Sequence, residues 1–211
     1  MNSLHGFQVM LTNLFKKIKI ILIQFIFIFL IFNQQSLTEA DEINDFELDG
    51  ISVGDSLLEH MSEDDIKKNI VDVYNYIDDK KFIVSGFFTN NLSSKYRLIQ
   101  VTFKKNDNKY ILYGVEGIIN PMIFSECLIT QQEVEKNIKN LFKNYEKFGP
   151  DIIKHPVDQT GKSIVNQIAF ELDGNVVLIE CYDFSVQASY PDSFKISVYS
   201  KELNEWLQKY Q

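Results

Sequence analysis

The 211-residue chain carries 21 basic and 29 acidic side chains, a net charge of −8, with two cysteines and three histidines. A single arginine, Arg97, and scattered lysines form no basic cluster of the kind that neutralises phosphates, which excludes nucleic acid as a partner. Two isolated cysteines without nearby histidine fall short of a zinc ligand set, so no metal is expected, and no cofactor is implied.

The first element is a leader. Lys16, Lys17 and Lys19 precede Ile20 to Phe32, thirteen residues whose only polar member is Gln24. A membrane-crossing helix needs about 20 apolar residues and a secretory core only about 7 to 15, so the length predicts a signal peptide over residues 1–40. Thr38-Glu39-Ala40 places small residues where signal peptidase cuts, and cleavage is expected after Ala40. The alternative is an uncleaved membrane anchor, lengthened by Leu14 and Phe15; Met10 is a second candidate start. Both readings put residues 41–211, one soluble α+β domain, outside the cytoplasm: periplasmic, secreted or anchored there. Without Lys16, Lys17, Lys19 and Glu39, that domain keeps 18 basic and 28 acidic residues, a net charge of −10. Such acidity reads as a well-solvated surface, or alternatively as a weak cation-binding segment from Asp41 to Asp65.

Ser62 ahead of Glu63, Asp64 and Asp65 marks a helix start. The helix either carries Ile66, Ile70, Val73, Tyr74 and Ile77 on one face or stops near Asn69, because the residues beyond favour extended backbone. From Lys81 the period becomes two, predicting strands at Phe82 to Phe88, Tyr96 to Lys104 and Tyr110 to Ile118, with a turn at Asn106-Asp107-Asn108. A second helix is expected from a Thr130/Glu133 capping box through Val134, Ile138, Leu141, Phe142, Tyr145 and Phe148, stopped by Gly149-Pro150. Strands return at Val165 to Leu172 and Val176 to Phe184 around Asp173-Gly174-Asn175, and again at Phe194 to Val198. Ser200 then caps a closing helix bearing Leu203, Trp206, Leu207 and Tyr210. Hairpins link most strands. The fold expected is therefore α+β, a mostly antiparallel sheet of about six strands in two runs of three, with helices before, between and after. The two halves share this order without repeating residues.

Cys127 and Cys181 make an even pair, which in an oxidising compartment predicts a disulfide, buried free thiols being the alternative. Gly54-Asp55-Ser56-Leu57 resembles the nucleophile block of the GDSL hydrolases, which makes Ser56 the one catalytic candidate. That family also carries a later Asp-x-x-His and a Gly-x-Asn-Asp. Neither occurs here, and the family's parallel sheet conflicts with the hairpins. A local role is the competing reading, in which Gly54 turns the chain and Asp55 or Ser56 caps a short helix with Leu57, Leu58 and Met61. Gly161-Lys162-Ser163 imitates the end of a P-loop, yet Pro156 stands where the first glycine belongs, so His155 to Ser163 reads as a polar loop. His155, Lys162 and Ser163 are its binding candidates, since loops are where ligand contacts collect.

One arginine against twenty lysines is the residue bias of an AT-rich genome. With that bias, the stretch Asp45 to Leu58, His155-Pro156 with Gly161-Lys162-Ser163, and Cys181-Tyr182-Asp183 together resemble an uncharacterised group of short exported proteins from AT-rich bacterial genomes. The resemblance implies export and brings no catalytic residue. The function expected is a non-enzymatic binding module of the envelope, its partner an envelope protein or a small ligand; the alternative is a small GDSL-like serine hydrolase using Ser56.

Overall fold

The computed structural model describes residues 43–71, 73, 74, 77–89, 95–155 and 158–210. The leader and Pro156 lie outside these.

The described residues open with a 3-10 turn (Ile43–Asp45), a small hairpin, β1 (Glu47–Leu48) and β2 (Ile51–Ser52), and the helix α1 (Glu63–Lys68). The strands β3 (Ile70–Val71), β4 (Phe82–Phe88), β5 (Leu98–Lys104) and β6 (Leu112–Ile119) follow. The long helix α2 (Phe124–Leu141) leads into β7 (Glu146–Lys154), β8 (Ile164–Leu172), β9 (Asn175–Asp183) and β10 (Ser193–Tyr199), and α3 (Lys201–Gln208) closes the domain. Strands β3 to β10 form one antiparallel sheet in the order β3-β4-β5-β6-β10-β9-β8-β7. Eight strands thus replace the six expected. Each half of the chain is a helix followed by a four-strand meander, and the last strands of the two meanders, β6 and β10, meet at the centre with Val115 opposite Val198. The halves repeat as architecture although their residues do not.

The two extra strands have local causes. Ser62 caps α1 as expected, its hydroxyl accepting from the Asp65 amide at 3.2 Å, but α1 ends at Lys68 and only Ile66 of its predicted stripe sits in the core beneath it. Ile70 and Val71 become the short edge strand β3, while Tyr74 and Ile77 are buried against a different surface. In α2 the predicted limits are corrected at both ends. The helix starts at Phe124 with Ile123 at its N-cap, and Thr130 lies mid-helix, its hydroxyl donating to the Glu126 carbonyl one turn back. It stops at Leu141, so Tyr145 and Phe148 leave the helical stripe; Tyr145 packs on Phe170 and Phe148 enters β7. Gly149-Pro150, expected to end a helix, is a bulge in this edge strand, where the register against β8 shifts between Phe148 and Asp151. Proline is tolerated there because an edge strand has no second partner needing its missing amide. Gly149 has φ +84°, and a Cβ on it would lie 2.5 Å from the Gln167 carbonyl oxygen, so glycine is required on both counts.

The hairpin between β8 and β9 turns at Asp173 and Gly174, both with positive φ, as a two-residue primed turn demands. Ser200 caps α3, accepting from the Leu203 amide at 3.3 Å.

The sheet's two faces are covered unequally. One face, with Val101, Phe103, Val115, Ile168, Phe170, Val177 and Ile179, packs under α2 and the residues around β1, β2 and α1 in one continuous core. Cys127 of α2 is bonded to Cys181 of β9, with Cα atoms 5.7 Å apart, so the helix is tied to the sheet from the sealed side. The opposite face carries a smaller core at one end, where Leu203 and Trp206 of α3 pack with Tyr74, Ile77, Phe82 and Val84. The indole of Trp206 donates to Asp79 at 3.1 Å.

Candidate functional site

Beyond α3, the second face of the sheet is open over its central strands. Side chains there are those of the wet parity: Gln100 on β5, Glu116 and Ile118 on β6, Ser193 and Lys195 on β10, Leu178, Glu180 and Tyr182 on β9, and Gln167 on β8. Antiparallel register makes direct neighbours of them, since opposed residues share a face. Gln100 lies opposite Glu116, and Lys195 opposite Glu180, which in turn lies opposite Gln167. Together they floor a hollow of about 470 Å³. Tyr74, Tyr199 and Leu207 wall it toward α3, and Phe184, Tyr190 and Pro191 wall it at the other end.

The floor is a bonded polar network. The Lys195 ammonium lies 2.9 Å from the Glu180 carboxylate, whose other oxygen accepts from the Gln167 amide at 3.1 Å. Tyr199 donates its hydroxyl to Glu116 at 2.6 Å, and Lys195 also sits 5.3 Å from the centre of the Tyr182 ring. Burial, the largest single influence, works against the charged form of Lys195, but Glu180, Tyr182, Glu116 and Tyr199 together outweigh it and hold the ammonium above the usual lysine range. Burial pushes the Tyr182 and Tyr199 phenols up, so both remain donors at any ordinary pH. Two carboxylates and one ammonium leave this floor with one surplus negative charge.

The wall of rings continues past the hollow. Tyr182 and Phe184 stack 5.5 Å apart, Tyr190 follows at 5.4 Å from Phe184, and His155 tilts against Phe184 at 5.0 Å. Behind it lies a second, smaller hollow of about 290 Å³, lined by His155, Asp158, Thr160, Phe184 and Tyr190 among others. Burial first, and then the positive charge of Lys195, lower the pKa of His155.

The residues singled out from sequence are dispersed. Of the loop candidates, His155 faces the smaller hollow. Ser163 is fully buried and structural: its hydroxyl donates to Asp158 at 2.6 Å and accepts from the Ser185 amide. Asp158 also receives the hydroxyls of Thr160 and Ser185, and the hydrogen bonds from Ser163, foremost, and Thr160 hold its carboxyl well below the usual range. Lys162 is exposed and lines neither hollow.

The Gly54-Asp55-Ser56-Leu57 string is laid against the start of β6. The Gly54 amide donates to Leu112, that of Leu112 to Asp55, and that of Leu57 to Tyr110. The Ser56 hydroxyl joins this seam, donating to the Lys109 carbonyl at 2.7 Å. Neither expected cap forms: Ser56 stands at the N-cap of the 3-10 turn Leu57–Glu59 without a capping bond from its side chain, and Asp55 accepts from the Ser52 amide instead. His60 approaches Asp55 at 3.6 Å. Among the described residues, those of the acidic run toward Asp65 included, no three His, Cys, Asp or Glu side chains gather into a group that could hold a metal ion. Asp65 instead accepts the Ser62 hydroxyl at 2.6 Å.

Sequence reading passed over Glu116, Glu180 and Lys195. Their signal was present as charges at the wet parity of otherwise apolar strands, but strand order alone brings them together. No protein-family model, curated protein or solved structure matches this chain.

Proposed function

We propose that this domain is an exported, non-enzymatic binding module that takes a small molecule on the open face of its sheet. The observation that carries the reading is the concave floor of charged and amide side chains between aromatic walls, of a volume within the roughly 300 to 1,000 Å³ common for small-ligand sites. A sheet face needed only for stability would be covered or plainly solvated. This one buries Glu180 and most of Lys195 without a helix over them.

Export is supported by the leader's sequence and by the Cys127–Cys181 disulfide, which suits an oxidising compartment outside the cytoplasm. Among the described residues no helix is long and apolar enough to cross a membrane. Mass spectrometry of the protein recovered from its native cell envelope should find a chain beginning at Asp41.

For the site itself, a fragment library followed by heteronuclear NMR should move the amides of Glu116, Gln167, Glu180, Tyr182 and Lys195 together. Gln100→Trp, which fills the floor, should abolish those shifts without altering the fold. Shifts confined to the α2 side, or unaffected by the tryptophan, would overturn the assignment.

A further inference from the structure

We infer that the ligand class of this hollow is a small organic cation, an ammonium compound carrying an apolar or aromatic body. The inference rests on the binding reading above and adds the sign of the charge. Three observations lead to it.

The first is the charge count. Glu116 and Glu180 share a floor with one cation, Lys195, and that cation is engaged with Glu180 at 2.9 Å. The hydrogen bond reaching Glu116 comes from the neutral hydroxyl of Tyr199, so the surplus negative charge resides on Glu116. In a partly desolvated recess that charge is worth more than on an open surface, and it favours a cation that can approach Glu116 directly. An anionic ligand would have to take Lys195 from Glu180 and leave that carboxylate buried and unmatched, which is costly.

The second is the wall. Tyr74, Tyr182, Phe184, Tyr190 and Tyr199 border one hollow, and the quadrupole of such rings attracts cations within about 6 Å. Lys195, held 5.3 Å from the Tyr182 ring centre, already demonstrates the preference inside this site.

The third is the neutral lining. Gln100, Gln167, Asn120 and Ser193 provide carbonyl and hydroxyl acceptors around the carboxylates, so an ammonium has hydrogen-bond partners besides Glu116.

Three probes with the same ring and different heads test the inference: phenethylamine, phenethyl alcohol and phenylacetate, titrated into the domain under calorimetry with NMR mapping. Phenethylamine is expected to bind most tightly and to shift the floor amides, phenethyl alcohol weakly, and phenylacetate least. Glu116→Gln retains the Tyr199 contact and removes only charge; it should weaken phenethylamine roughly tenfold or more while leaving phenethyl alcohol unchanged. Lys195→Met removes the competing cation and should strengthen phenethylamine, a sign that no generic loss of packing produces.

Equal binding of all three probes, or a preference for phenylacetate, would overturn the cation assignment while leaving the open face as a binding site. Failure of all three to bind, with the fragment library still mapping to the floor, would likewise overturn the cation class alone. Failure of the library as well would remove the site.

Discussion

The two faces of this sheet obey different rules although the same strands supply both. Under α2, side chains interlock into a continuous apolar core, and a covalent bond between Cys127 and Cys181 fastens helix to strand. On the reverse side of the same strand β9, the alternate residues Glu180 and Tyr182 meet Lys195 and Gln167 in a network open to solvent. The contrast separates what makes the domain stable from what, on the binding reading proposed above, makes it useful. Apolar burial stabilises without specifying a ligand, whereas a partly buried ion pair contributes little to stability and a great deal to recognition.

The largest test of that division is the disulfide. Its half-cystines are 54 residues apart, and constraining a loop of that size in the unfolded chain stabilises by about 4 kcal/mol. Cys127→Ala with Cys181→Ala should therefore lower the unfolding free energy in urea by about that amount, while probe selectivity on the open face is retained. A loss of selectivity together with stability would mean that the two faces are not independent.

A smaller effect is expected at the floor. Lys195→Met alone leaves the Glu180 carboxylate without its cation and should cost about 2 kcal/mol, less than a fully buried pair because the lysine side chain is 21% exposed. Pairing it with Glu180→Leu should restore stability to near the starting value and, because Glu116 keeps its charge, leave the preference for phenethylamine in place. If the double variant stays as unstable as the single one, the network holds the fold together and the contrast between faces fails.

Ser56 sits on neither face, in the seam beside β6, and Ser56→Ala should cost about 1 kcal/mol for the lost hydrogen bond to Lys109. Ester turnover, measured in parallel, should be the same in the variant and the unaltered domain. A hydrolysis that vanishes in the variant would restore the GDSL-like alternative.

The smallest effect is a change of slope with pH. His155 has its pKa lowered in the folded state, so the neutral form is favoured there relative to the unfolded chain, where the value is about 6.5. Its contribution is present above that pH and is lost as the pH falls from about 6.5 through the folded value. His155→Phe should flatten the acid side of the stability profile in that window and leave the alkaline side alone.

Much of the scaffold was legible because local chemistry decided it. Alternation marked β4 at its observed limits and most of β5, β6, β8, β9 and β10; Asp173-Gly174 marked a turn; Ser62 and Ser200 marked helix starts. The failures fall where two periods overlap. From Val134 to Phe148 the apolar spacing suits a helix throughout, yet the chain leaves it after Leu141, because Tyr145 gains more by packing on Phe170 than by continuing a stripe. Gly149-Pro150 then looks like a stop signal and is an edge-strand bulge.

The candidate site was less legible for a different reason. Glu116 lies far from Glu180 and Lys195 in sequence, and nothing local says that β6 pairs with β10. By itself the sequence determined most of the elements, the turn at Asp173-Gly174 and the acidic character of the domain, since these depend on composition and on neighbours a few residues away. Only the tertiary structure decided that the two meanders join through their last strands, that α2 covers one face, and that charges from three strands meet on the other. Those outcomes depend on contacts between residues tens of positions apart, and such contacts form only when the whole sheet closes.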